Sequence, residues 1–423
     1  MNNANKITYI SAFFFLTAVL ASCGNRPETD EPDELTGWRQ DIEWISDSLP
    51  LLHYDLFMYQ PRDSLDARLE RLEDSLDSLG DMETAMELTR VLASMKCSHT
   101  GITFWERCEI RAYPISVIWL DDGLFVTAID TSHEELIGSR LLTYGERPAE
   151  EAAAAMAGMF PATNDVVPRT NAEKIMMLAS CMTALGYGSM LEPVEFRFLK
   201  EDGDTVTLHL EAVDFTYTNM VDFHSCGSVS LPLWLSFDDC YWHKYIPERK
   251  MLYCAYNSCN MMHGYPVEEY VDDLRAVVET EDVRDVVIDL RRNGGGNSLV
   301  ATPIILWLRE LSESTDISIS LVIGRWTYSS GILNAMEIAG IPDVTVYGEM
   351  TGGSPNHLGE VRTAVLPFSG LTVSYPTKYF ETVEGPGTTM VPDVPVPLTP
   401  DMFFHGADNV LDSISSRGNR SRL

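Results

Sequence analysis

The 423-residue sequence predicts an α/β protein with two further regions ahead of its α/β part. Three observations carry the prediction. From about Leu231, continuous apolar runs of strand length alternate with helical segments, the pattern of a parallel sheet covered on both faces. Residues 113–212 instead show paired strands around turn residues. Residues 38–96 carry apolar side chains at helical spacing with charges between them.

Taken in order, the chain opens with an address. Lys6 precedes the apolar stretch "YISAFFFLTAVLAS", which is short for a membrane span and ends in small residues. The junction "LASC" followed by Gly24 resembles a bacterial lipobox. That resemblance implies a signal over 1–22 and a lipid on Cys23, hence a bacterial cell-envelope protein anchored to a membrane on its periplasmic or surface side. The alternative is an ordinary secretory signal with an incidental cysteine. Residues 23–36 are Pro-rich and acidic, as in a flexible tether.

Residues 37–110 read as a helical domain, with "WRQDIEWISDSLPLLH" and "SLDARLERLEDSLDSLG" as its clearest segments and "KCSHTGI" near its end. Residues 111–215 read as a β-rich domain. "PISVIWLDDGLFVTAI" and "VEFRFLKEDGDTVTLHLEAV" are hairpins turning at Asp121-Asp122-Gly123 and at Asp202-Gly203. "IGSRLLTYGERPAEE" resembles the strand, turn and helix of a PDZ module, with a helical insertion before the second hairpin. Such modules bind peptides by strand addition; a plain connecting domain is the alternative. Residues 216–423 form the α/β domain.

Composition narrows the function. A 45% hydrophobic chain with 10% aromatics is globular. A formal net charge of -33 argues against a nucleic-acid partner, because phosphates would be repelled. Apart from Cys23 there are seven cysteines, so at least one thiol is unpaired within the chain or bonds another molecule. No Cys/His spacing suits zinc.

Three turns follow successive strands of the α/β region and should meet at one sheet edge. "DVVIDLRRNGGGNS" (285–298) places three glycines after a buried strand, where free N–H groups can receive an anion. "SLVIGRWTYSSGILNA" sets Ser329 and Ser330 at a strand-to-helix junction. On this stretch alone a serine there is read first as a helix cap and second as a nucleophile near the positive end of the helix dipole. "YGEMTGGSPNHLGEV" (347–361) is the third turn.

Taken together, "DLRRNGGG", "TYSSG", "GEMTGG" and "VPDVPV" resemble the tail-specific, or C-terminal processing, family of serine peptidases over roughly residues 231–407. The resemblance implies a crotonase-like protease core and a protein or peptide substrate, with no metal or organic cofactor. It implies Ser329 as nucleophile, with N–H groups of Gly295 or Gly296 and of Ser330 forming the oxyanion hole. Two departures stand out. Ile332 occupies a position where the family often has Glu, and Ser354 occupies the position of the lysine base. A serine hydroxyl needs a base. The tricorn-like branch draws a His from the N-terminal side, preceded by a Ser, and His99 with Ser98 matches that pattern. Glu384 is the candidate acid and His357 the alternative base. A non-catalytic peptide-binding lipoprotein and an esterase or amidase acting on cell-wall peptides are the competing functions.

Overall fold

The computed structural model describes residues 34–104, 110–214, 216–226, 229 and 231–420. The signal and lipidated cysteine expected at the start of the chain, and most of the tether, lie outside the described residues. Among the described residues no helix is long and apolar enough to cross a membrane.

The N-terminal region is built on helices Glu34–Asp47, Arg62–Ser75 and Asp81–Ala93. In the second of these, Leu65, Leu69 and Leu72 fall on one face and are buried, as their spacing requires. The middle region is a seven-stranded antiparallel sheet. Its hairpin strands Ile115–Leu120 with Gly123–Asp130, and Val194–Leu199 with Thr205–Leu210, turn where the Asp and Gly pairs stand. Strand Met220–Asp222 also belongs to it, pairing with Ala128–Asp130, beyond the boundary at 215. Helices Val166–Ile175 and Ala179–Ala184 form the insertion. The helical and β-rich regions are not independent. One continuous core runs from Trp38 through Leu92 to Phe196, and takes in Leu366 and Val373 from far along the chain.

The C-terminal region holds a six-stranded sheet. Its strands run in the order Tyr241–Ile246, Met251–Tyr256, Asp285–Asp289, Ser318–Ile323, Thr345–Gly348 and Val394–Pro395; the first is antiparallel to its neighbour and the rest are parallel. The apolar runs are continuous because both faces are covered. Leu252, Cys254, Val286 and Ile288 face a core shared with Tyr270, Ile304 and Ala335 on helices Val267–Thr280, Thr302–Ser314 and Ser330–Ala339. Met251, Tyr253 and Val287 face Trp234, Phe403 and Ile414, together with Ile118 and Leu120 of the middle sheet.

A third sheet joins the two ends of the molecule. The hairpin His357–Val365 and Thr372–Phe380 receives the short strand Gly101–Ile102 as a third member, Gly101 opposite Ser374. The hairpin's far end is held by buried Asp41, which accepts the N–H groups of Phe368 (2.8 Å) and Ser369 (3.0 Å). This sheet carries the segment before Gly101, which includes His99, to the edge of the parallel sheet.

Candidate active site

The first turn is organised by Asn293, which is fully buried. Its Nδ2 donates to Tyr256 O (2.8 Å), and its Oδ1 accepts the Gly295 N–H (3.0 Å). Its carbonyl accepts the Tyr328 N–H (2.9 Å), tying the first turn to the second. Gly295 (φ +107°) and Gly296 (φ +130°) take backbone conformations that favour glycine. A methyl on Gly295 would stand 2.8 Å from Ser329 Cβ and 3.0 Å from Ser330 N, so the absent side chain lets the two turns touch. Arg291 lies apart from this contact. It is buried over the Trp234 ring and paired with Asp289 and Asp408 at 2.6 and 3.0 Å, which anchors the base of the loop.

The second turn is strained at one residue. Ser329 has φ +50° and ψ -126° immediately before helix Ser330–Ala339, and its side chain makes no capping hydrogen bond. Such a conformation in a non-glycine residue costs on the order of 1–3 kcal/mol and persists only where its surroundings enforce it. They do so here. Thr327 Oγ1 donates to Leu290 O (2.7 Å) and accepts the Gly324 N–H (3.0 Å), and the Gly353 N–H donates to Thr327 O (2.9 Å). Thus Ser329 holds the cap position without acting as a cap. Ser330 differs. Its hydroxyl donates to Gly296 O at 2.6 Å. Its own N–H is the first of the helix and, like that of Gly296, has no hydrogen-bond partner among the described residues. The Gly295 N–H is already committed to Asn293, which leaves those of Gly296 and Ser330 as uncommitted donors at this junction.

The third turn closes over the second. Gly353 approaches so near that a methyl there would meet Tyr328 Cα at 2.9 Å and Ser329 N at 3.2 Å. Ser354, at the place where the family resemblance would put a lysine, is buried; its hydroxyl contacts Thr163 and donates to Thr388 O (2.9 Å). Next along, His357 is buried and donates from Nδ1 to Ser354 O (2.8 Å).

His99 reaches this turn from the N-terminal region. Its ring stacks on Tyr328 (centroids 5.0 Å apart) and also on His357 (5.6 Å), which stacks in turn on Phe380 (5.3 Å). Tyr328 is also bonded to the same loop, its hydroxyl donating to Ser98 O at 2.9 Å. Ser98 Oγ lies 3.4 Å from His99 Nδ1. Among the described residues the His99 Nε2 atom is shielded from solvent and has no hydrogen-bond partner, so it is not bonded to Ser329 Oγ. Burial, and then the neighbouring His357, push the imidazole down to about 3 against an opposing pull from the Leu358 backbone. It is therefore neutral at pH 7. Beneath the loop, His53 accepts the Asp55 N–H on Nδ1 (3.0 Å), so its Nε2 carries the proton and donates to Thr100 Oγ1 (2.8 Å).

The residues named from sequence do not all meet. Ser329, Ser330, Gly295 and Gly296 stand together, and His99 lies one residue away, against Tyr328. Glu384 makes no hydrogen bond to any of them among the described residues. It is exposed, in a loop whose neighbours Val383 and Gly385 are held by Asn356, and no carboxylate among the described residues is hydrogen-bonded to Ser98 or His99. Four residues escaped the sequence reading as parts of this site: Tyr328, His53, Cys259 and Asn334. The side-by-side placement of Tyr328 and Ser329 was a signal for the first; the others carry no local signal.

No family model and no curated protein matches the chain. Solved structures do. Mature CPAF complexed with lactacystin superposes with a TM-score of 0.67 at 13% identity, over 91% of this chain and 98% of that one. Mature CPAF gives 0.63 at 13% identity, over 90% and 96%. The photosystem II D1 C-terminal processing protease gives 0.40 at 13%, over 91% and 99%. The chain thus shares the mixed α/β fold of CPAF over nearly the full length of both.

Proposed function

We propose that the chain is a serine peptidase of the tail-specific type, with Ser329 as nucleophile and His99 as general base. The fold supports a peptidase, since CPAF, whose fold it shares, is one. The observation that carries the reading is the strained Ser329. Its backbone is forced into a costly conformation, its hydroxyl caps nothing, and two uncommitted N–H groups stand at its junction. A helix cap needs none of this strain, whereas a strand-to-helix elbow that presents a hydroxyl does.

In the proposed mechanism His99 Nε2 takes the Ser329 proton as Oγ attacks the substrate carbonyl carbon. The N–H groups of Gly296 and Ser330 receive the developing oxyanion. The imidazolium then protonates the leaving amine, and water, deprotonated by the same nitrogen, releases the acyl group. An unpaired buried Nε2 costs about 1–3 kcal/mol, a cost a base recovers when a proton arrives. Its low basicity in the resting site keeps it neutral, and negative charge on the tetrahedral intermediate raises it when it must hold a proton. His357 is the weaker candidate because it stacks on His99, whereas His99 stacks on Tyr328, the residue beside Ser329.

The reading extends to a crotonase-like core for the C-terminal sheet and to a PDZ-like role for the middle sheet in holding a peptide. Lipid attachment at Cys23 and a place in the bacterial cell envelope rest on the first 36 residues of the sequence alone. The test is labelling by a fluorophosphonate probe together with hydrolysis of peptide and ester panels. Wild type should label and cleave peptides, and Ser329→Ala should do neither. Labelling that survives in Ser329→Ala would overturn the assignment. Absence of both activities in wild type would favour a peptide-binding protein, and cleavage of esters alone would favour an esterase.

A further inference from the structure

The Gly296 N–H belongs to the Gly295–Gly296 peptide, and that peptide is held from behind. Cys259 N–H donates to Gly295 O at 2.9 Å. In a trans peptide the carbonyl and the N–H point in opposite directions, so a carbonyl drawn toward Cys259 turns the Gly296 N–H away from it. One residue on, Asn297 N–H donates to Cys259 O at 2.8 Å. The backbone of Cys259 therefore brackets Gly296.

Cys259 is itself held by its side chain. Its thiol lies 3.3 Å from Asn293 Oδ1 and 3.2 Å from Asn334 Oδ1, and all three residues are fully buried. Both amides are oriented by what they donate to: Asn293 Nδ2 to Tyr256 O at 2.8 Å, and Asn334 Nδ2 to Ser298 O at 2.9 Å. Both oxygens are thereby left to accept the single S–H. Burial pushes this thiol up to about 11, so it remains a protonated donor. Asn334 lies on the helix that begins with Ser330, the other uncommitted donor.

We propose that Cys259 and Asn334 are positioning residues that lock the Gly296 amide, on a loop, to the Ser330 amide, on a helix, so that both aim at one oxyanion. This rests on the peptidase reading above. The Ser330 hydroxyl on Gly296 O closes the same linkage from the solvent side. Losing an oxyanion donor outright costs about 10²–10³-fold in kcat, and a misaimed one costs a part of that.

Cys259→Ser keeps a donor to the two amides, and Cys259→Ala removes it at nearly the same size. Cys259→Ala should lower kcat about tenfold with KM within about twofold, and weaken a peptide aldehyde inhibitor by the same factor as kcat, because the aldehyde's hemiacetal oxygen occupies the oxyanion position. Cys259→Ser should stay within about threefold of wild type on both measures. Amide hydrogen exchange over residues 292–298 should quicken in Cys259→Ala and not in Cys259→Ser, a readout that does not need activity. If Cys259→Ala fails to fold, Cys259→Val, which fills the space without a donor, takes its place with the same expectations. Equal kcat in the Ser and Ala variants, or a loss confined to KM or to melting temperature, would overturn the inference while leaving an active wild type and its peptidase reading intact. A wild type that neither cleaves nor labels would instead overturn the peptidase reading, and the catalytic meaning of the clamp with it.

Discussion

On the sheet side of Ser329, the polar groups of Asn293, Cys259, Asn334 and the Ser330 hydroxyl are each committed to a neighbour. On the other side His99 arrives on a loop from the N-terminal region, with its Nε2 unpaired and its position set by one hydroxyl, two ring stacks and a two-residue strand. The first half is built within one domain, on elements that also make its core. The second is docked from another region. Defects in the first half should therefore change the chemistry while leaving assembly alone, whereas defects in the second should change chemistry and docking together.

The largest effect expected is from His99→Ala, a fall in kcat of about 10³-fold or more, as for removal of a general base. His357→Ala should cost about tenfold or less, through looser packing of His99. Single-turnover rates decide between them, and the opposite ranking would move the base to His357.

The docked half should also be the pH-sensitive one. Burial pushes His53 down to about 4, with Asp55 pulling weakly the other way, so in the folded chain it resists protonation. Its unfolded value near 6.5 is higher, so the unfolded state binds more protons between the two. The stability linked to His53 is complete above about pH 6.5 and is lost as pH falls toward 4, by roughly 3 kcal/mol in all. Urea unfolding at pH 7 and near pH 4.5 should show the loss, and His53→Gln should flatten it. His99, displaced in the same direction, will keep some slope in that variant.

On the built half, Gly295→Ala puts a methyl 2.8 Å from Ser329 Cβ at a φ of +107°. A fall of about 10²-fold in kcat is expected, as the two turns are pushed apart and the oxyanion donors separate. Steady-state kinetics and a thermal melt check that this exceeds the loss of stability. A small effect, of the same order as that of His357→Ala, should come from Tyr328→Phe, which removes only the bond to Ser98 O. About threefold to tenfold in kcat is expected, with faster hydrogen exchange in the 97–100 loop. An unchanged exchange rate would mean the rings alone hold the two halves together.

The contrast also governs what could be read from sequence. The runs "KMLYCAY" and "VRDVVIDL" announce a sheet buried on both faces, and the glycines and paired serines that follow successive strands announce where the turns meet. Ser330 as a backbone donor came only from the family resemblance, not from these patterns. Asn334 was not legible, because its spacing with Gly331 and Ile338 places it on the buried helix face but says nothing of its partner Cys259, 75 positions earlier. Nor could periodicity show that Gly101 pairs with Ser374, since register between distant strands leaves no trace in local pattern. Glu384 illustrates the converse. A carboxylate of the right type near the right motif proves to be exposed, because the loop around it is arranged by Asn356 and not by Ser98.

The pairing of Gly101–Ile102 with Val373–Ser374 has a consequence in time. A ribosome makes the His99 loop early, the elbow later, and the strand that receives the loop later still. Until that strand has emerged, the segment that carries His99 has no edge to join. On the proposed reading, Ser329 and His99 therefore come together only after residues 372–374 have emerged.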